Sequence, residues 1–137
     1  MKKVIFAMLA LCVATLSFTS CERKADPASQ PIAGKTYKYT DADGYVKFRF
    51  NLNYSCEIEA LAKEDIEPTK SGVNTFVWDM KDGKTFTIRY ANGVINTQTG
   101  QNVSGVLVYN GVLDAATKKV TITMVAEPHH VYVCTEE

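Results

Sequence analysis

The chain has 137 residues, room for one domain and at most a short appendage. Its 15 Lys and Arg balance its 15 Asp and Glu, which leaves no cationic surplus to neutralise a phosphate backbone and argues against nucleic acid as a partner. An apolar share of 46% and a charged share of 22% describe a packed globule and exclude a disordered chain. Four scattered cysteines are too few for a disulfide scaffold or a paired-cysteine zinc module.

Lys2 and Lys3 open the chain, Val4 to Phe18 carry no charge, and Thr19-Ser20 precede Cys21. The apolar run is shorter than the ~20 residues a membrane-spanning helix needs and suits the core of a secretory signal peptide. With small residues just before Cys21, the segment resembles a bacterial lipoprotein signal, Phe18 standing where that family usually has Leu. The resemblance implies a signal peptide over residues 1–20, cleavage before Cys21 and lipid on its thiol. Cleavage leaves 117 residues with 13 basic and 15 acidic side chains, a net charge of −2. Residues 21–33 then read as a lipidated cysteine and a disordered tether, because Glu22 to Pro31 holds two prolines and no large apolar residue. Glu22 is not the Asp that holds many enterobacterial lipoproteins at the inner membrane. The expected address is therefore the cell envelope, at the outer membrane of a Gram-negative bacterium, with the membrane contacted through the N-terminal lipid.

From residue 34 to 137 apolar and polar residues alternate. Val46, Phe48, Phe50 and Leu52 share one face, as do Tyr54, Cys56, Ile58 and Ala60, then Phe76, Trp78 and Met80. Phe86, Ile88 and Tyr90 continue the pattern, followed by Val120, Ile122 and Met124. Period two is the mark of a half-buried strand. Asp43-Gly44, Asp82-Gly83 and Asn92-Gly93 supply tight-turn pairs, and Asp114 to Lys118 reads as a longer hairpin loop. Eight strands follow, near 35–40, 44–52, 54–61, 73–80, 84–91, 103–113, 118–126 and 129–135. Asn110-Gly111 reads as a bulge within the sixth, and Leu61 to Gly72 as loop with room for one helical turn before Pro68. An even number of strands in a meander lets the first and last pair antiparallel. The expected fold is all-β, an antiparallel meander closed or nearly closed into an eight-stranded barrel.

Several stretches carry a family likeness: Gly34 to Tyr39 (GKTYKY), Val46 to Phe50 (VKFRF), Ser71 to Ile88 (SGVNTFVWDMKDGKTFTI) and Gly105 to Ile122 (GVLVYNGVLDAATKKVTI). With the signal and tether, they resemble the bacterial lipocalin-like lipoproteins. Such a barrel implies a small hydrophobic or amphipathic ligand inside, against the inward Phe48, Phe50, Phe76, Trp78, Phe86 and Ile88. Ser71-Gly72, Trp78 and Gly83 also resemble the pattern of periplasmic lysozyme inhibitors. That likeness implies a solid-cored barrel acting through its surface and loops on an envelope protein, the long Ala91 to Asn102 loop among them.

Little else points to chemistry. His129 and His130 are the only histidines, and on a strand adjacent residues face opposite sides. Unless Glu127-Pro128 makes the chain irregular there, they cannot share a metal ion, so no metal site is expected. No nucleophile motif is present, no enzyme activity is expected, and no cofactor is implied. Asp41 to Gly44 has the opening of a calcium loop without its remaining ligands and reads as a hairpin turn. Glu64 to Glu67 reads as a solvated loop. Cys56 and Cys134 fall on strands that are not neighbours in the meander, which favours free buried thiols over a disulfide.

Overall fold

The computed structural model describes residues 12–13 and 23–137. Apart from Cys12 and Val13, the segment read as a signal peptide lies outside the described residues, as does Cys21. No helix occurs among the described residues. The strands are β1 (Cys12–Val13), β2 (Thr36–Asp41), β3 (Gly44–Phe50), β4 (Ser55–Ala62), β5 (Thr69–Lys70), β6 (Phe76–Met80), β7 (Thr85–Tyr90), β8 (Val94–Ile95), β9 (Leu107–Asp114), β10 (Lys119–Met124) and β11 (Val131–Glu136).

Eight of them form a closed antiparallel barrel in the order β3-β2-β11-β10-β9-β7-β6-β4, and β4 returns to β3 through seven residue pairs, Gly44↔Ala62 to Phe50↔Cys56. First and last strands meet at Tyr37↔Glu136 and Lys38↔Thr135, the pairing an even strand count allows. Closure leaves the ring without an edge. β5 is an extra strand beside β4, and β1 pairs with β8. Because the strands alternate in direction, connections 51–54, 81–84 and 115–118 share one end of the barrel with residues 23–34 and the C-terminus. The other end carries 42–43, 63–75, 91–106 and 125–130. We call these the terminal end and the loop end.

Inward residues of every barrel strand merge into one buried cluster, with Tyr37, Tyr109, Phe48, Phe50 and Phe76 among its largest fully buried members. Where an inward face was expected it is reproduced within the strand, but Leu52 lies beyond the end of β3 at 44% exposure and Tyr54, only partly buried, precedes the start of β4. The Asp41 to Gly44 segment is a hairpin turn. The Asp43 N–H donates to Asp41 Oδ1 at 2.8 Å, while Gly44, at φ 135°, passes so close to the Leu61 carbonyl that a Cβ there would clash with it. Cys56 and Cys134 are free and buried, on β4 and β11, with β3 and β2 between them.

Four expectations need correction. Within the stretch 61–72, expected as loop with room for one helical turn, Leu61 and Ala62 complete β4 and no helix forms. The chain then turns back so that β5 pairs with Glu59 and Ala60, leaving Ile66 at the tip 95% exposed. The sixth barrel strand begins at Leu107, not Val103, and its irregularity is not at Asn110-Gly111. The register against β7 shifts between Ile88↔Tyr109 and Arg89↔Leu107, so Val108 is the extra residue and both Val108 and Tyr109 are buried. Gly111 runs in register and serves packing instead. The Phe86 ring fills the space a side chain would occupy there. A sequence pattern marks glycine as a bend, but here an aromatic ring on the neighbouring strand requires it.

The fourth concerns the tether. Beyond Glu22, residues 23–34 cap the terminal end of the barrel rather than hanging free. Ala25, Ile32 and Ala33 are buried in the core, with Ile32 at 0% exposure. The Ala25 N–H donates to the Leu52 carbonyl at 2.7 Å and the Gly34 N–H to the Phe50 carbonyl at 2.7 Å. Gln30 Nε2 donates to the Met80 carbonyl at 3.0 Å, and its Oε1 accepts from the Tyr54 hydroxyl at 2.9 Å. A segment that crosses a barrel mouth once needs only a few apolar groups and no period, so its sequence resembles a linker.

Candidate functional site

Phe48, Phe50, Phe76, Trp78, Phe86 and Ile88, the residues expected to line a ligand cavity, all point inward and are buried. The rings around Phe50 meet edge to face, as do Phe48 and Tyr109, whereas Phe76 stacks on Tyr90 at 5.2 Å. Phe50 lies 5.9 Å from Tyr37, 5.9 Å from Trp78 and 5.2 Å from Phe86, and Phe48 lies 5.5 Å from Tyr109. The Trp78 indole N–H is satisfied by the Asn51 carbonyl at 3.0 Å. Such edge-on geometry is the favourable arrangement of aromatic quadrupoles, and it fills space densely. Burial pushes the Tyr109 hydroxyl above the ordinary phenol range and the Cys134 thiol up to about 12, with the Cys56 thiol raised as well. These groups are neutral at physiological pH, and neither thiol has the lowered pKa of a nucleophile.

Three cavities open on the outer wall. One of them, about 450 Å³, lies over β6, β7 and β9 between Asp79, Lys81, Arg89, Asn110 and Val112. Of the six expected ligand-binding residues only Phe86 borders any of them. Ser71, part of the likeness to lysozyme inhibitors, completes the wall where β4 and β6 share only two residue pairs. Its Oγ accepts from the Ile58 N–H at 2.9 Å, and its carbonyl accepts from the Thr75 hydroxyl.

One cluster of metal-ligating groups forms at the loop end. Residues 125–130 make an irregular turn between β10 and β11, held by the His130 N–H donating to the Glu127 carbonyl at 2.9 Å and the Met124 N–H to the His130 carbonyl at 3.1 Å. β11 starts only at Val131, so neither histidine lies on a strand, and the alternation that would separate them does not apply. Their rings approach to 4.4 Å between centroids. Glu127 Oε1 stands 3.4 Å from His130 Nε2 and 3.8 Å from His129 Nε2. His130 is packed against the barrel at 8% exposure, whereas the His129 side chain is 69% exposed. The irregularity at Glu127-Pro128 thus brings two rings and a carboxylate together, where a regular strand would have separated them. Glu127-Pro128-His129-His130 carried the signal, since it places three donors within four residues around a strand-breaking proline.

Together these features define a closed eight-stranded antiparallel barrel with an aromatic-filled interior and its polar chemistry on the outside. No family model, curated protein or solved structure matches the chain.

Proposed function

We propose that this protein is a non-enzymatic, lipid-anchored barrel of the bacterial cell envelope. It acts through its exterior on another envelope protein, as an accessory or an inhibitor. The observation that carries this reading is the filled interior. A lipocalin-like ligand would have to displace side chains such as Phe48, Phe50 and Phe76, which are fully buried. Eight strands leave an interior just wide enough for side chains, and here aromatic rings use it.

The cap supports an orientation. Cys21 precedes the buried Ala25 by four residues, at most about 14 Å of extended chain. An acyl group on Cys21 therefore keeps the terminal end against the bilayer and turns the loop end, with connections 63–75 and 91–106, toward partners. At the membrane side Arg23 stacks over the Tyr54 ring at 4.6 Å, beside the exposed Leu52.

Two measurements test the reading. The wild-type protein should take up a fatty-acid probe and fractionate with membranes, and Cys21→Ser should abolish the labelling. Native mass spectrometry of protein purified from its own envelope should show no bound lipid, and a lipophilic dye should give no saturable binding. A stoichiometric lipid mass with saturable dye binding would return the barrel to the ligand-carrier class. Unlabelled wild-type protein in the soluble fraction would remove the anchor.

A further inference from the structure

We propose that Glu127, His129 and His130 form a binding site for a divalent transition-metal ion of the zinc class at the loop end of the barrel. The ligand atoms of all three lie within 4.8 Å of one another. Two imidazole nitrogens and one carboxylate oxygen around a tetrahedral ion, with bonds of about 2.0–2.2 Å, stand roughly 3.4 Å apart. The Glu127–His130 separation of 3.4 Å already meets that spacing, and the Glu127–His129 separation of 3.8 Å nearly does. The remaining adjustment falls on His129, whose exposed ring is free to turn. His130 is fixed by packing and by the two backbone hydrogen bonds of the turn, so the site has one rigid ligand and one adaptable ligand.

The donor set decides the metal class. Calcium and magnesium demand oxygen ligands, and two imidazoles exclude them in favour of zinc, copper or nickel. Three protein donors leave a coordination position for water or for a donor from another molecule. The inference needs neither the lipid anchor nor the solid interior, so its test is independent of theirs.

The test is a zinc titration of the full chain, purified without a histidine tag, by competition with a chromophoric chelator, and with cobalt as a spectroscopic probe. The expected result is saturable binding of one zinc per chain, unaffected by equimolar calcium or magnesium, with cobalt giving the visible bands of nitrogen coordination. His129→Ala and Glu127→Gln, both at accessible side chains, should each weaken zinc binding at least tenfold while leaving the metal-free melting temperature near that of wild type. His130→Ala should abolish binding. Should that variant fail to fold, the other two decide the matter. Absence of saturation below about 1 mM zinc, or zinc affinity that His129→Ala and Glu127→Gln both leave within twofold of wild type, would overturn the site.

Discussion

Truncating Phe50 to alanine should do two things at once, destabilise the barrel and give it a cavity it did not have. The Phe50 ring is fully buried and touches rings on three other strands, Tyr37 of β2, Trp78 of β6 and Phe86 of β7. Those neighbours are themselves held by their strands and cannot collapse into the gap. The loss therefore combines transfer free energy with an unrelieved cavity, about 4 kcal/mol. Against a total stability of about 5–15 kcal/mol this is a large fraction. In urea, at a slope of about 2 kcal/mol/M, it moves the unfolding midpoint down by roughly 2 M with the slope unchanged. The hole, on the order of 100 Å³ and lined by aromatic carbon, should stay dry and accept a small apolar guest. Benzene should accordingly raise the melting temperature of Phe50→Ala and leave wild type unchanged. A loss under about 1 kcal/mol, or equal stabilisation of wild type by benzene, would mean that the interior is already hollow, and the argument for an exterior mode of action would fall with it.

Ile32→Ala should cost about 2–5 kcal/mol, since Ile32 is fully buried in the cap; a change within 0.5 kcal/mol in urea melts would restore the tether reading. Cys56 and Cys134 should resist alkylation at about pH 8 in the folded protein and react readily in denaturant, because burial raises both thiols and pushes Cys134 up to about 12; rapid labelling of native protein would contradict this. Asp82 accepts from the Thr85 N–H at 2.7 Å, the Lys84 N–H at 2.9 Å and the Thr85 hydroxyl at 2.9 Å, which lower its pKa to about 2. Its contribution to stability is present above the unfolded carboxylate value of about 4 and lost as pH falls through about 2, so Asp82→Asn should flatten the acid limb of a stability profile measured by urea melts. At the alkaline limb the sign reverses. Burial pushes Tyr37 and Tyr90 up to about 12, and the hydrogen bond to Glu59 does the same for Tyr45. The folded state then holds protons the unfolded chain releases from about pH 10, stability declines from there upward, and tyrosinate absorbance should rise together with loss of structure.

The barrel strands were legible because period two and turn pairs are local properties. Val46, Phe48 and Phe50, or Val120, Ile122 and Met124, state their inward face without reference to any other strand. Closure was legible too, since an even count of antiparallel strands returns the last beside the first. The candidate metal site was only half legible. Glu127, Pro128, His129 and His130 are visible as a run of donors around a proline. Whether their side chains meet depends on where β11 begins, and a shift of one or two residues decides between divergence and convergence.

The sequence by itself determined the class of fold, the eight strands of the barrel and, for β3, β4, β6, β7 and β10, which side faces inward, because side-chain alternation and backbone turn preferences act over a few neighbouring residues. Only the tertiary structure decided how the interior is used. Whether inward aromatics enclose a cavity or fill one depends on the barrel's radius and on how rings from different strands interlock, as Phe50, Tyr37, Trp78 and Phe86 do. It also decided that Gly111 makes room for the Phe86 ring and that Ala25, Ile32 and Ala33 close the barrel mouth. Each of these is a long-range contact, set by what lies opposite in space, and nothing in the residue's own neighbourhood along the chain records it.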